Sequence, residues 1–418
     1  MKIRSKNVGL SLLFVILLFI TCLDSITSNV VLQFVLKHVD EMLVVALICY
    51  ILINIAYLHE KQRMIVTWGA FIAIGIISAI VYRYQTFFAS AVDCVLVINK
   101  FVAGYLSAYI YTKKNHKPIT QCVRYAARIT VIILFVFALH DFIFPSFFEK
   151  ADYRYFAYSL KLMFPHATYL AAAASTLLVY FGYLNCKGRY LPEMIMASFL
   201  LFTTLRGKAI GFLLIYWLLY VFFFVFQYKH YVLIMAGGAL AVFLISADQI
   251  RQYFVTSGYS PRQILLRDSL MLANEHFPLG TGFGTFGSSM AADRYSILYR
   301  QLGYTRNYGM GETGSMFLTD SFWPIIFAQF GWIGTIVFVL FIVGLFFLCF
   351  RTIRKHRYAG FSMLVIMIDM MINSIAETAF FNPASMLLFM LFAVFEAESG
   401  ICTERSNTGD DKNFICNA

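Results

Sequence analysis

Residues 324–349 read PIIFAQFGWIGTIVFVLFIVGLFFLC, without one charged position. A helix needs about 20 mostly apolar residues to cross a bilayer, so this run reads as a membrane span. Working outward from it, similar runs lie at 8–24, 41–58, 64–82, 90–111, 125–144, 165–185, 190–205, 208–227, 231–247, 360–378 and 381–397. The 418-residue chain is 60% hydrophobic and 13% charged, with 44 Phe and 26 Tyr. A soluble protein is about 45–50% apolar and about 25% charged, and no soluble domain of this length hides so much apolar surface. The expected fold class is an all-α polytopic integral membrane protein. Lys2, Arg4 and Lys6 precede the first run. Because apolar segments continue throughout, a retained first span is expected rather than a signal peptide.

The net charge is +11. In a soluble protein that would suggest nucleic acid. Here the cations cluster beside apolar segments, as topology signals do, so no nucleic acid is expected and phosphate-bearing lipid remains a partner. With a cytoplasmic N-terminus, inside loops hold Lys61 and Arg63; Lys113, Lys114, Lys117 and Arg124; Lys187 and Arg189; Lys229; and Arg351, Arg354, Lys355 and Arg357. Merging 190–227 into one span would turn that last cluster outward. Twelve spans with both termini cytoplasmic is therefore the expectation. Spans one to nine occupy 1–247, a large extracytoplasmic loop 248–323, spans ten to twelve 324–397, and a disordered tail 398–418. Within the loop, 262–274 has helical apolar spacing. Eight cysteines form no pairing framework and no Cys/His metal spacing, so neither metal nor cofactor is expected.

Residues 278–287, PLGTGFGTFG, contain Gly-x-Gly-x-x-Gly. That pattern binds dinucleotides only as the turn between a strand and a helix. No strand pattern surrounds it, so a nucleotide is not expected. Two readings remain: a tight turn, or glycines (Gly280, Gly282, Gly284) that let the backbone approach a bulky substrate closely.

Charges gather at the expected outer face. Arg206 and Lys208, in TTLRGKAIG, either snorkel to lipid headgroups or fork phosphate oxygens. Arg267 and Asp268 lie on the loop helix, where a solvated face is the bland alternative. His276 is a general base or a hydrogen-bonding bystander. Asp320 opens the tenth span, where an acid also favours the helix dipole. Glu377 closes the eleventh. Deeper in the membrane, Lys100 and Asp369 could pair, and with Asp93 and Asp141 could line a transport path.

Over roughly 190–395, the ordered pieces LRGKAIG, RDSLMLANEHFPLGTGFGTF, TDSFWPIIFAQFGWIG and ETAFFNP resemble the polytopic O-antigen and capsular polysaccharide polymerases, whose relatives include the O-antigen ligases. The resemblance implies a metal-independent, membrane-embedded glycosyltransferase without cofactors. Its substrate would be an undecaprenyl-diphosphate-linked oligosaccharide at the outer face of the bacterial cytoplasmic membrane. Arg206, Lys208 and Arg267 would hold the pyrophosphate and offset charge on the leaving group. An acceptor hydroxyl would attack the anomeric carbon with inversion, with Asp320, then Glu377, then His276 as candidate bases. Ligase relatives carry a histidine where this chain has Asp320, which favours polymerase over ligase. A chain-length regulator and a flippase are partners implied by the resemblance alone. The rival from another class is a lipid-linked oligosaccharide flippase or other secondary transporter, for which internal repeats and discontinuous helices meeting at the midplane would be expected.

Overall fold

A long apolar run in a bilayer has no water for its amides, so it satisfies them within its own helix. The computed structural model describes residues 5–26, 30–115, 118–144, 147–186, 188–225, 260–313 and 317–408. Their helices are α1 (Ser5–Leu18), α2 (Val30–Lys37), α3 (Val39–Ile53), α4 (Gln62–Tyr82), α5 (Phe87–Val92), α6 (Lys100–Asn115), α7 (Ile119–Ile143), α8 (Ala167–Leu184), α9 (Leu191–Thr203) and α10 (Gly207–Phe224). They continue with α11 (Pro261–Glu275), α12 (Ser289–Asp293), α13 (Ile297–Gln301), α14 (Trp323–Lys355), α15 (Arg357–Asn373) and α16 (Pro383–Thr408). A two-strand hairpin, β1 (Tyr153–Arg154) with β2 (Ala157–Tyr158), is the sheet among the described residues.

The chain is an all-α membrane protein. Among the described residues, six helices are long and apolar enough to cross a bilayer: α4 with the 3-10 turn before it, α7, α8, α10, α14 and α16. The pair Phe87–Val97 and Lys100–Asn115, bent by 43°, makes a seventh if it is one span. Large apolar side chains stay exposed along these helices, among them Val66, Ile77 and Ile80 of α4 and Phe347 of α14. Lipid covers such faces at no hydrophobic cost. The span expected at 231–247 and the start of the following loop lie outside the described residues.

Contacts sort the helix ends into two layers. At one, called here the far end, Lys61 pairs with Glu396, Tyr105 donates to Glu396 at 2.5 Å and Phe224 stacks on Tyr358. At the near end lie Phe19 stacked on Phe164, Lys208 paired with Glu377 and Arg262 with Asp320. Thus α8, α10 and α16 all begin at the near end. Residues 260–313 and 317–323 gather there too, around their own apolar cluster of Leu265, Phe286, Leu298, Tyr299, Tyr304 and Met310.

The glycine motif belongs to this packing. Helix α14 breaks at Gly331, whose φ of 61° and ψ of −161° are not helical. The break strips the carbonyls of Ala328 and Gln329 of their helical donors. Residues 278–282 replace them: Thr281 N–H donates to the Ala328 carbonyl at 2.7 Å and Gly282 N–H to that of Gln329 at 3.0 Å, while Ile333 N–H donates to the Pro278 carbonyl at 3.2 Å. A Cβ on Gly280 would strike the Ala328 carbonyl, and one on Gly282 (φ 91°) the backbone of Ala79 in α4. Gly284 (φ 69°) donates its N–H to Asp93 at 2.8 Å. The close approach at Gly280 and Gly282 is therefore to the protein's own backbone, Gly284 has ordinary spacing around it, and every residue from Gly280 to Ser288 is buried. The substrate approach expected there is replaced by helix completion.

Two other expectations change. Lys100 pairs with Asp40 at 2.6 Å and not with Asp369, because α3 runs alongside α6. The tail expected to be disordered from 398 begins as helix to Thr408. Glu398 anchors it, accepting from the Thr120 N–H and hydroxyl at 3.1 and 2.7 Å and from the Tyr183 hydroxyl at 2.9 Å; residues 409–418 lie outside the described set.

Gly282→Ala should lower stability by about 3 kcal/mol, combining backbone strain and overpacking. Gly344→Ala, in a helix with open space around it, should lose nothing. Thermal unfolding in detergent checks the pair; equal melting temperatures would remove the plug from the stability account.

Candidate functional site

A single residue sets the approach to the site. Between α9 and α10 the chain reverses through Leu205, which takes φ 49°. A left-handed turn costs a residue with a Cβ roughly 1–2 kcal/mol, and here it leaves Arg206 as the N-cap of α10. Arg206 is 6% exposed. Its guanidinium Nη2 donates to His166 Nε2 at 3.1 Å and reaches Asp152 Oδ2 at 3.4 Å. Helix α8 starts at Ala167, so His166 is its N-cap, outside the span.

Two residues on, Lys208 pairs with Glu377. A cation in the first turn of a helix opposes the dipole, so the position needs compensation. Glu377 supplies part of it; Asp369 and Asp320 add negative charge, while Arg262 and Arg206 add positive. Asp369, on α15, is buried and accepts from Ser175 Oγ at 3.0 Å and Asn373 Nδ2 at 2.9 Å. Arg262 reaches Asp320 at 3.3 Å. Burial raises the Asp320 carboxyl above the usual aspartate range, and Arg262 opposes that rise without cancelling it.

Lys208, Asp369, Asn373 and Glu377 are among the residues lining a cleft of about 520 Å³, counted with the solvent it opens to; Arg206, Arg262 and Asp320 stand outside its lining. Thr168 and Tyr169 from the first turn of α8, Lys208 and Ala209 from that of α10, and Ala384 and Ser385 from that of α16 also line it. The first turns of three helices, with the partial positive charge of their N-termini, thus line one space, although the Thr168 N–H is capped by His166 Nδ1 at 3.3 Å and the Ala384 N–H by Asn382 Oδ1 at 3.2 Å. That arrangement favours an anion. The cleft shares Tyr169, Ala172 and Ala384 with a second hollow of about 280 Å³, whose walls are Leu17, Leu18 and Ile20 near the end of α1, Ala173 of α8 and Leu387 of α16. A cleft that holds the charged groups therefore adjoins an apolar hollow.

Of the residues singled out in the sequence, Arg206, Lys208, Asp320 and Glu377 come together. Arg267 does not join them. It stands five residues beyond Arg262 on α11, about 140° around a helix of 3.6 residues per turn, and is exposed, with Nε on Asp268 Oδ1 at 2.8 Å. Arg262 occupies the inward face instead. His276 is buried with both ring nitrogens engaged, Nδ1 by the Leu272 carbonyl at 2.8 Å and Nε2 by the Tyr84 hydroxyl at 2.9 Å. It straps the end of α11 to the end of α4. Sequence reading passed over Arg262, His166, Asp152, Ser175 and Asn373. Arg262 alone carried a legible signal, its spacing from Arg267. No protein-family model matches the chain, and no curated protein matches it.

Arg262→Ala should move the Asp320 titration further up, because its counter-charge is lost. With its folded pKa raised, Asp320 contributes stability that is whole below the ordinary aspartate pKa, about 3.9, and lost as pH rises through the folded value. Infrared difference titration of the carboxyl band, in wild type and variant, measures the shift; coincident curves would separate the two residues.

Proposed function

We propose that this chain is a polymerase that joins undecaprenyl-diphosphate-linked oligosaccharide repeat units into a capsular, exopolysaccharide or O-antigen chain. In this reading it has twelve spans, both termini are cytoplasmic, and the near end faces outward across a bacterial cytoplasmic membrane. One observation carries it: three helix N-termini, with Arg206, Lys208 and Arg262 beside them, converge on one cleft edged by carboxylates. The apolar hollow adjoining the cleft suits a substrate with a diphosphate head and a hydrocarbon tail.

The donor's diphosphate lies at the helix N-termini, with Arg206 and Lys208 on its oxygens and Arg262 taking the part expected of Arg267. An acceptor sugar hydroxyl attacks the anomeric carbon as a carboxylate removes its proton. The bond from that carbon to the diphosphate oxygen breaks, and lipid diphosphate leaves. Negative charge grows on the leaving oxygen, where fixed positive groups contribute most. Asp320 is the preferred base, because burial raises its proton affinity toward the working range. Glu377, held by Lys208, is second.

A transporter would use broken helices to open a path at the midplane. The break at Gly331 is instead closed by residues 278–282, which speaks for the enzyme. A ligase would run the same chemistry with another acceptor.

Purified protein in vesicles, given its undecaprenyl-diphosphate oligosaccharide, should yield a ladder on a gel spaced by one repeat. Arg206→Ala should slow it about 10²–10³-fold. Asp320→Asn should abolish the ladder and keep lipid binding; an unchanged ladder would pass the base role to Glu377. No ladder from folded wild type with the correct substrate would favour ligation or transport.

A further inference from the structure

Arg206 is not held by a carboxylate alone. The shortest contact of its guanidinium is to a histidine, at 3.1 Å, and that contact requires a lone pair on His166 Nε2. Nδ1 faces both the Thr168 hydroxyl and the Thr168 N–H, the latter at 3.3 Å as the helix cap. The neutral ring thus meets donors at both nitrogens, and Nε2 keeps its lone pair only while Nδ1 carries the proton and gives it to the hydroxyl oxygen. A second proton would have to go on Nε2, setting N–H against N–H and cation against cation. The charged groups around the ring are Arg206 and Lys208 from the start of α10, and Asp152 and Arg154 from the hairpin. Only Asp152 favours the charged ring.

We propose that His166, as a neutral imidazole, is the positioning residue that aims Arg206 at the lipid diphosphate, and that protonating it releases the guanidinium and weakens diphosphate binding in acid. The proposal rests on the reading of Arg206 as a diphosphate ligand. Burial and the Arg206 charge hold the His166 pKa below its usual value. The contact is therefore whole above the ordinary histidine pKa, about 6.5, and is lost as pH falls through the lower folded value. Asp152 then becomes the partner toward which the charged ring turns, drawing it from its contact with Arg206.

The test is binding of undecaprenyl diphosphate to the full chain in nanodiscs between pH 8 and pH 5. Wild type should lose about tenfold in affinity over that range, the scale of one hydrogen bond to a charged group. His166→Gln places a non-titrating acceptor near the Nε2 position, so its affinity at pH 5 should equal its own at pH 8. Acid loss in His166→Gln equal to that of wild type would overturn the proposal. Arg206→Ala in the same assay separates the two readings: undiminished binding at pH 8 sinks the role of Arg206 and leaves His166 nothing to position. A ligand-free readout is ¹⁵N-histidine NMR. His166 should carry its proton on Nδ1 and titrate at higher pH in Arg206→Ala than in wild type. An identical titration in the two would also overturn the proposal, whatever the binding data.

Discussion

The structure depends on how the break in α14 is closed. A helix interrupted at Gly331 leaves carbonyls and an amide without helical partners, and each unsatisfied group in hydrocarbon costs several kcal/mol. The glycine segment supplies the missing partners from another part of the chain. Because it must lie backbone against backbone, it has no room for a Cβ at Gly280 or Gly282. The same segment reaches Asp93, whose carboxylate takes the Gly284 N–H, and Gln329, whose amide donates to the Phe286 carbonyl at 2.8 Å. Residues 260–313 and 317–323 are thereby fastened to α4, α5 and α14, and Asp320 and Arg262 inherit fixed positions from that fastening.

The cleft follows a different logic, one of charge placed against its own preference. Lys208 sits where a helix dipole repels it, Arg206 is nearly covered, and Asp369 is buried among neutral donors. Each is compensated by a neighbour, so the site is a balanced cluster rather than an open positive patch. An incoming diphosphate would compete with Glu377 and Asp152 for the cations they hold. In the proposed reading, that competition would let the site bind and release without a permanent surplus of charge.

Much of the architecture was legible. Apolar runs located helices, because length and hydropathy are what a bilayer selects for: each expected span within the described residues contains helix, and six of these helices are long and apolar enough to cross. The split between α9 and α10 was legible from Arg206, Gly207 and Lys208. The site was half legible: co-location of Arg206, Lys208, Asp320 and Glu377 followed from alternating topology. What sequence could not carry was orientation. Arg262 and Arg267 share one helix, and only the packing of α11 decides which faces Lys208. His166 and Asp152 lie far from Arg206 in sequence, and no spacing announces that they meet. The glycine motif misled for a related reason: glycines mark close approach without naming the partner.

The closed break also fixes an order of assembly. Residues 278–282 lie outside the span they complete and precede it in the chain, so α14 enters the bilayer with no second backbone inside it. A lone span cannot keep open carbonyls in hydrocarbon, and Gly331 is free to stay helical at that stage. The kink therefore needs residues 278–282 in place, because they supply the partners that the helix gives up at Gly331. The shape of the span is in this way set by a segment that is no part of it.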